Sequence, residues 1–291
     1  MRKYNKIALL GGDERMLSCA RVLSDEVELA AWGFGTHPLP SYSVRVRDAA
    51  DAIKNSVAIV LPTPASRDGV HIFAPLSDGA ELSLRSLVEL APADALIIGG
   101  AFTPAFKSEL DSAGLSYVDI TEDGGFAEKN AIPTAEGALA IAISETPITL
   151  SGAECAVLGY GRCVRPLARA LYNLGAHVTV AARRSEVRCE AAEAGYRAVS
   201  TSDIDALSGA DIIFNTVPAR LFSEESAKKL KRGALIIDLA SAPYCADARA
   251  IPDGVRYIRA SALPGRYSPV SAGRIIGECV LGHLRQGGIL P

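Results

Sequence analysis

The sequence predicts an α/β protein made of two doubly wound units in tandem, each with a parallel sheet, and a cleft between the units. Two observations lead to this prediction. Short apolar runs alternate with amphipathic stretches along the 291 residues, a pattern typical of strands joined by crossover helices. The alternation also starts twice, and each start is a strand that runs into glycines, Gly11-Gly12-Asp13 and then Gly159-Tyr160-Gly161.

The first series of elements occupies the N-terminal part of the chain. Its predicted strands are the apolar runs at 6–11, 27–33, 57–61, 95–100 and 115–120. The stretches between them predict helices at Glu14–Leu23, Ala80–Leu90 and Pro104–Ala113. Only a few apolar residues precede Asp13, too few for the core of a signal peptide, so we expect a cytoplasmic protein.

The second series begins after Ser151. Its predicted strands are 155–159, 177–182, 211–215, 234–239 and 255–260, and its clearest helix is Arg162–Leu174. Because each series repeats the strand–glycine–helix start, we interpret the two as Rossmann-like units.

The segment that joins the two series contains its own predicted helix. Pro133 is suited to a first helical turn, and Ala135–Ser144 is rich in helix formers, while Pro147 precedes the second unit. We therefore expect a substrate and catalytic domain over 1–147 and a nucleotide-binding domain over 148–291. The predicted terminal helix, 272–286, is a candidate to pack back on the first domain.

Composition and charge exclude several classes of function. The net charge is −3, which gives no electrostatic reason to expect a nucleic acid or an anionic membrane as partner. No apolar run reaches the 18 to 20 residues, roughly, that a membrane span needs. None of the six cysteines forms a C-x-x-C pair, and no histidine stands at zinc-finger spacing from them, so we expect neither disulfides nor a metal site.

The second glycine turn predicts a binding site for the pyrophosphate of a dinucleotide. Gly159 follows a strand and permits the tight turn, and Gly161 lets the backbone approach a phosphate at the start of the next helix. Arg162, which we expect to open that helix, and Cys163 complete the candidate phosphate-binding residues. Val164 departs from the usual third glycine, a position that serves helix–strand packing and not phosphate contact.

The end of the next strand favours NADP over NAD. An acidic residue that holds the adenosine ribose of NAD is expected there, but the chain has Arg183, Arg184 and Ser185, and no carboxylate before Glu186. Guanidinium groups bind a 2′-phosphate, which a carboxylate would repel. The alternative is that the arginines form a solvated pair of charges at a helix start.

Further candidate site residues follow other predicted strands, where ligands of such sheets bind. Beside the cofactor we expect Thr216, Pro218, Ala240 and Ser241, although small polar residues commonly end buried strands for structural reasons alone. In the first unit, Asp13 and Glu14 would repel a phosphate, so we expect no second nucleotide there. The candidates for substrate binding and catalysis are Arg15, Thr63, Thr134 and Glu136, with helix capping as the alternative role for Thr134 and Glu136.

Several motifs, taken together and in this order, resemble the family of the dipicolinate synthase A subunit over nearly the whole chain. They are KIALLGGDERML (6–17), NAIPTAEGALAIAI (130–143), VLGYGRCVRPLARAL (157–171), FNTVPA (214–219), LIIDLASAP (235–243) and ALPGRYSPVSAGRI (262–275). Val164 departs from this resemblance, because the family has glycine there. The resemblance implies an enzyme of sporulation that oxidises dihydrodipicolinate, a small dicarboxylate, to dipicolinate with NAD(P)⁺. It also implies a partner, a flavoprotein-like second subunit, while we expect the chain to form homo-oligomers.

Two other functions remain open at the level of sequence. One is a different NAD(P)-dependent enzyme on the same scaffold, such as an amino-acid or 2-hydroxy-acid dehydrogenase. The loop near the C-terminus lacks the histidine base that hydroxy-acid oxidation would require, which disfavours this alternative. The other is a non-catalytic subunit that binds NADP and organises or regulates a partner.

Overall fold

The computed structural model describes residues 5–162 and 164–291 and divides the chain into two compact units. The first unit comprises the chain up to Ala127 together with Pro269–Pro291, and the second comprises Glu128–Ser268. Each unit contains one six-stranded parallel sheet with helices. This arrangement confirms the predicted α/β class with two Rossmann-like units.

The sheet of the first unit has the strand order β3-β2-β1-β4-β5-β6, with every pair parallel. Its chain order reverses between β1 and β4, which places the topological switch point of the unit between these two strands. The strands are β1 (Lys6–Leu10), β2 (Glu28–Trp32), β3 (Ser43–Arg45), β4 (Ala58–Val60), β5 (Leu96–Gly99) and β6 (Tyr117–Asp119). The helices are α1 (Glu14–Ser24), α2 (Ala49–Ile53), α3 (Leu84–Leu90) and α4 (Pro104–Ser112).

A buried carboxylate fixes the loop that follows β5. Asp119, at the end of β6, accepts hydrogen bonds from the backbone N–H groups of Ala101 (2.9 Å) and Phe102 (2.8 Å) and from both the N–H and the hydroxyl of Thr121. Burial alone would raise the pKa of Asp119, but these hydrogen bonds outweigh it and hold the pKa below its ordinary value.

The sheet of the second unit repeats the same topology, with the order β12-β11-β10-β7-β8-β9. Its switch point lies between β7 and β10, so ligands are expected at the ends of these two strands. The strands are β7 (Glu154–Leu158), β8 (His177–Ala181), β9 (Arg197–Val199), β10 (Ile212–Asn215), β11 (Leu235–Asp238) and β12 (Arg256–Arg259). The helices are α6 (Arg165–Asn173), α7 (Ser185–Glu193), α8 (Glu224–Lys228) and α9 (Leu263–Tyr267).

The long helix α5 (Gly124–Glu145) runs from one unit into the other. Pro133 lies in its interior, and the expectation that this proline opens the helix is therefore wrong. The C-terminal half of α5 buries Ala135, Ala138 and Ile141 in the core of the second unit. This burial explains why the chain divides near residue 127, twenty residues before the boundary expected from the sequence.

The terminal helix α10 (Pro269–Gln286) belongs to the first unit and packs against α1. Ile276, Val280 and Leu284 on one face of α10 are buried in the core that α1 also enters. The two helices approach closely at Gly273, where a Cβ atom would lie 2.0 Å from the carbonyl oxygen of Arg15. Such an approach leaves room for glycine alone.

All ten predicted strands are present, and the two that sequence patterns did not indicate are β3 and β9. Both are three-residue strands at sheet edges, where little burial is required of their side chains. Among the described residues, no helix combines the length and apolar character that crossing a membrane requires.

Candidate functional site

The turn between β7 and α6 has the backbone geometry that the glycine motif predicts. Gly159 has φ +91°, a conformation that side chains disfavour, and a Cβ atom there would lie 2.9 Å from the Thr216 hydroxyl oxygen. A Cβ atom on Gly161, in contrast, would meet no atom of the described residues within 4 Å. The protein therefore leaves open the space beside Gly161, where a phosphate group can approach the backbone.

The helix after this turn begins later than the sequence indicated. Arg162 lies exposed on the turn, and α6 starts at Arg165, so the expectation that Arg162 opens the helix is wrong. Val164 stands immediately before the helix and is 2% exposed, packed in the core. Its side chain thus fills the protein interior and does not enter the turn. Cys163 lies outside the described residues.

A cavity of about 390 Å³ lies against this turn. Five of the predicted cofactor-binding residues line it, namely Gly159, Gly161, Arg183, Arg184 and Pro218. The remaining lining is largely apolar and includes Ala181, Ala182, Val187, Val217 and Leu221. An elongated ligand with a phosphate at the glycines and an apolar ring against the valines fits the chemistry of this lining.

Arg183 and Arg184 are exposed, and they occupy the bend between β8 and α7. Arg188 fixes this bend, because its guanidinium group donates hydrogen bonds to the carbonyl oxygens of Ala182 (3.0 Å) and Arg183 (2.7 Å). Sequence reasoning did not identify Arg188. The only signal was its place one helical turn after Arg184, which any surface arginine on a helix can share.

Ser185 is the first residue of α7, and its hydroxyl donates a hydrogen bond of 3.2 Å to the Glu186 carboxylate. The backbone N–H of Glu186 and this hydroxyl, with Arg184 and Arg188 nearby, lower the pKa of Glu186. Glu186 is therefore ionised at neutral pH, but the described lining of the cavity contains the two arginines and not Glu186.

The opposite wall of the cavity follows β10. Thr216 donates its hydroxyl to the carbonyl oxygen of Leu158 at 2.8 Å, which ties β10 to the strand that leads into the glycine turn. Val217 and Pro218 then line the cavity. Thr216 accordingly stabilises this wall through its hydrogen bond to Leu158, and the two residues after it line the cavity.

Ala240 and Ser241 follow β11 and are not among the described residues that line the cavity. The Asp238 carboxylate organises their loop, since it accepts hydrogen bonds from the Asn215 amide (2.7 Å), the Tyr257 hydroxyl (2.8 Å) and the N–H groups of Ala240 and Cys245. Burial would raise the pKa of Asp238, but these donors lower it. Asp238 and Asn215, at the ends of two neighbouring strands, thus have a structural role.

In the first unit, Arg15 and Thr63 lie next to each other. The guanidinium group of Arg15 is buried and pairs through Nε and Nη2 with the Asp13 carboxylate, at 2.9 Å for each bond, and Nη2 also donates to the carbonyl oxygen of Thr63. Asp13 also caps α1, because its side chain accepts a hydrogen bond from the backbone N–H of Arg15. Among the described residues, the buried Thr63 hydroxyl has no hydrogen-bond partner.

Thr134 and Glu136 lie inside α5, in its second-unit part, and not at a helix start. The Thr134 hydroxyl donates to the carbonyl oxygen of Asn130 at 2.8 Å, and Glu136 is exposed. The expectation that they cap a helix start is wrong, because the helix begins ten residues earlier, at Gly124. The four catalytic candidates are thus divided between the two units.

Residues 154–242 match the family described as NADP oxidoreductase coenzyme F420-dependent. Together with the fold and the cavity at the glycine turn, this match supports a protein of the oxidoreductase kind with a nicotinamide cofactor. Residues 6–121 match the family described as the N-terminal domain of the dipicolinate synthase A subunit.

A wider comparison extends the second match along the chain. The dipicolinate synthase A subunit of Bacillus subtilis (strain 168) is 30% identical over 279 residues, which cover 94% of this chain and 93% of the relative. The chain therefore belongs to the family of the dipicolinate synthase A subunit.

Solved structures agree with this assignment. The crystal structure of the dipicolinate synthase A subunit from Bacillus halodurans has a TM-score of 0.89 at 28% identity, with 96% of this chain and 97% of the other covered. The corresponding crystal structure from Bacillus subtilis has the same TM-score at 29% identity, with 98% and 97% covered. A transhydrogenase from Sinorhizobium meliloti, at 16% identity and a TM-score of 0.72 over 98% and 94%, shares the fold.

Proposed function

We propose that this chain oxidises dihydrodipicolinate to dipicolinate with NADP⁺ as the hydride acceptor, in the cytoplasm of a sporulating cell. It does so beside a flavoprotein-like second subunit. The observation that carries the proposal is the cavity in which the Gly159–Gly161 turn and the Arg183–Arg184 pair face one space.

The two arginines support NADP over NAD through their charge and position. They lie at the end of the strand next to the phosphate turn, where the adenosine ribose is held in proteins of this fold. A guanidinium group donates two parallel hydrogen bonds to a phosphate, whereas a ribose hydroxyl pair is best held by a carboxylate. In this cavity Gly161 would accommodate the pyrophosphate, and Arg183 with Arg184 would hold the 2′-phosphate.

The reaction balances as dihydrodipicolinate plus NADP⁺ giving dipicolinate, NADPH and one proton. When bound, the nicotinamide supplies a hydride acceptor, and the product ring gains aromatic stabilisation. The protein's own residues have to position the ring, exclude water and accept the proton. Arg15 and Thr63, whose hydroxyl has no hydrogen-bond partner in the described part of the chain, are the candidates in the first unit for contact with a substrate carboxylate.

The test is a direct assay of turnover and cofactor preference. Dihydrodipicolinate is generated in situ, and the near-ultraviolet absorbance of dipicolinate is followed with NADP⁺ or with NAD⁺. The Arg183→Glu, Arg184→Glu double variant should bind NADP⁺ about 100-fold more weakly, because it loses two charge-assisted contacts worth about 1.5 kcal/mol each. Its affinity for NAD⁺, which lacks the 2′-phosphate, should change far less.

A matched control carries the same charge change outside the cavity. Arg232 and Arg249 are exposed residues of the second unit that do not line it. Their double substitution by glutamate should leave the preference for NADP⁺ intact. NADP⁺ binding without turnover, both alone and with the second subunit, would favour a non-catalytic nucleotide-binding subunit. Turnover of a 2-hydroxy or 2-amino acid without any cyclic substrate would favour another dehydrogenase.

A further inference from the structure

The crevice at the switch point of the first unit is covered by its own chain. A Cβ atom on Gly11, at the end of β1, would lie 2.9 Å from the Cβ atom of Ala74 and 3.0 Å from the carbonyl oxygen of Phe73. The segment that follows β4 therefore packs directly over the position where the first glycine turn would receive a phosphate. The pyrophosphate of a dinucleotide therefore cannot approach the backbone of this turn.

The segment 65–83 is held firmly over the crevice by its backbone. Three backbone hydrogen bonds of 2.8 Å hold it. The N–H groups of Ala65, Phe73 and Leu84 donate to the carbonyl oxygens of Gly100, Ala65 and Val70, respectively. Its apolar side chains, Ala65, Ile72 and Leu82, are buried in the core beneath. The polar side chains of the segment are thus presented from a fixed base.

This base carries a carboxylate–imidazole pair. The Asp68 Oδ2 atom lies 2.9 Å from His71 Nδ1, while Oδ1 accepts hydrogen bonds from the N–H groups of Val70 and His71 (2.8 Å each) and from the Ser66 hydroxyl (3.0 Å). Because Asp68 is held by three other donors, it fixes the imidazole ring with Nδ1 protonated and Nε2 as the proton acceptor. The hydrogen bond to Asp68 also raises the pKa of His71.

His71 lines a cavity of about 400 Å³ whose lining also contains Arg67, Phe73 and the carboxylates of Asp68 and Glu81. The guanidinium carbon of Arg67 lies 4.0 Å from the centre of the Phe73 ring, so a cation and an aromatic face border the same space as the imidazole. The charged groups that face His71 are Asp68 and, at 3.9 Å from Nε2, Glu81. Arg67 is the cation of this lining that can pair with a carboxylate of a flat ring, and the acceptor nitrogen of His71 borders the same cavity.

We propose that this cavity binds the cyclic dicarboxylate substrate and that His71 Nε2 accepts the proton released when its ring is oxidised. The inference rests on the proposed function. One C–H bond of the dihydro ring breaks with its electron pair leaving as hydride to NADP⁺. The neighbouring C–H bond breaks with its proton going to His71 Nε2, and its electron pair becomes the new ring π bond. Asp68 is a positioning residue in this step.

The experiment combines kinetics with histidine-selective ¹⁵N NMR on the full chain. The His71→Gln variant should lower kcat about 100-fold, the usual scale for a general base, and leave NADP⁺ affinity unchanged. It should also abolish the fall in rate on the acid side of the pH profile. Asp68→Asn should shift that acid limb to lower pH, because the neutral amide no longer favours the imidazolium. The control is His177→Gln, at an exposed position of the second unit, which should change none of these.

Dipicolinate alone is the binding probe. It should shift the ¹⁵N resonances of His71, assigned through the His71→Gln variant, and leave those of His177 in place. If the wild type turns over and His71→Gln retains its rate and acid limb, the inference is overturned while the proposed function stands. If the wild type does not turn over, the proposed function fails. In that case the NMR titration still tests whether dipicolinate binds in this cavity. His71 resonances that do not move on addition of dipicolinate would overturn the proposed site as well.

Discussion

The contact between α10 and α1 gives a sharp prediction about stability. Gly273 on α10 faces α1 so closely that a Cβ atom would lie 2.0 Å from the Arg15 carbonyl oxygen and 2.6 Å from the Ser18 Cβ atom. The first of these atoms is backbone and cannot rotate away. Gly273→Ala must therefore displace one helix from the other. Gly282 lies on the same helix, and a Cβ atom there would meet nothing within 4 Å.

Two effects of opposite sign set the change in the free energy of unfolding that Gly273→Ala causes. Overpacking of a well-filled interface costs about 3 kcal/mol when backbone must shift. The change from glycine to alanine within a helix returns about 1 kcal/mol. Gly273→Ala should therefore destabilise the first unit by about 2 kcal/mol, whereas Gly282→Ala should stabilise it by up to about 1 kcal/mol because only the helix preference acts there.

The assay uses the single tryptophan of the chain. Trp32 is buried on β2, so its fluorescence reports unfolding of the first unit. Urea titration should show a lower midpoint for Gly273→Ala, and the melting temperature should fall by about 4–8 °C. Gly282→Ala should move both in the opposite direction. If Gly273→Ala were as stable as the wild type, the close packing of α10 on α1 would be refuted.

Three further predictions test other parts of the chain. Gly161→Ala should weaken NADP⁺ binding by more than tenfold in calorimetry and leave the melting temperature unchanged, because the added methyl group enters only the space proposed for phosphate. A lowered melting temperature would contradict this prediction. Arg188→Ala should weaken NADP⁺ binding severalfold by loosening the arginine bend, and unchanged affinity would count against that role. Because the pKa of Asp119 is lower in the folded than in the unfolded state, its carboxylate contributes stability that is fully present above the unfolded pKa of about 4. This contribution is lost progressively as pH falls from there through the folded pKa. In Asp119→Asn, the free energy of unfolding, followed by Trp32 fluorescence, should therefore depend less on pH between pH 4 and 2 than in the wild type. An unchanged pH dependence would refute the role given to the Asp119 carboxylate.

Much of the fold follows from local pattern in the sequence. Buried parallel strands need runs of apolar residues, and a glycine turn needs its glycines, so ten of the twelve described strands and the Gly159–Gly161 turn are readable without a structure. Arg183 and Arg184 are readable too, because the length of one strand–helix–strand unit fixes where the second strand ends. The sequence patterns do not predict the edge strands β3 and β9, because each has only three residues and none of them is buried.

The start of α5 differs from the prediction for a related reason. Pro133 is compatible with a first turn, but a helix also tolerates proline in its interior when packing supports it. Burial of Ala135, Ala138 and Ile141 supplies that packing, and nothing in the local sequence around Pro133 reveals it.

By itself, the sequence determined the two-unit architecture, the nucleotide turn and the arginines beside it, because each depends on neighbours in the chain. Only the tertiary structure decided that the Arg15 side chain lies beside Thr63, that the segment carrying His71 and Asp68 forms a cavity of the first unit, and that His283 lies 3.1 Å from Asp123. These arrangements depend on how loops cover a sheet and on where α10 packs. Packing of that kind is set by contacts between residues distant in sequence, which no local pattern encodes.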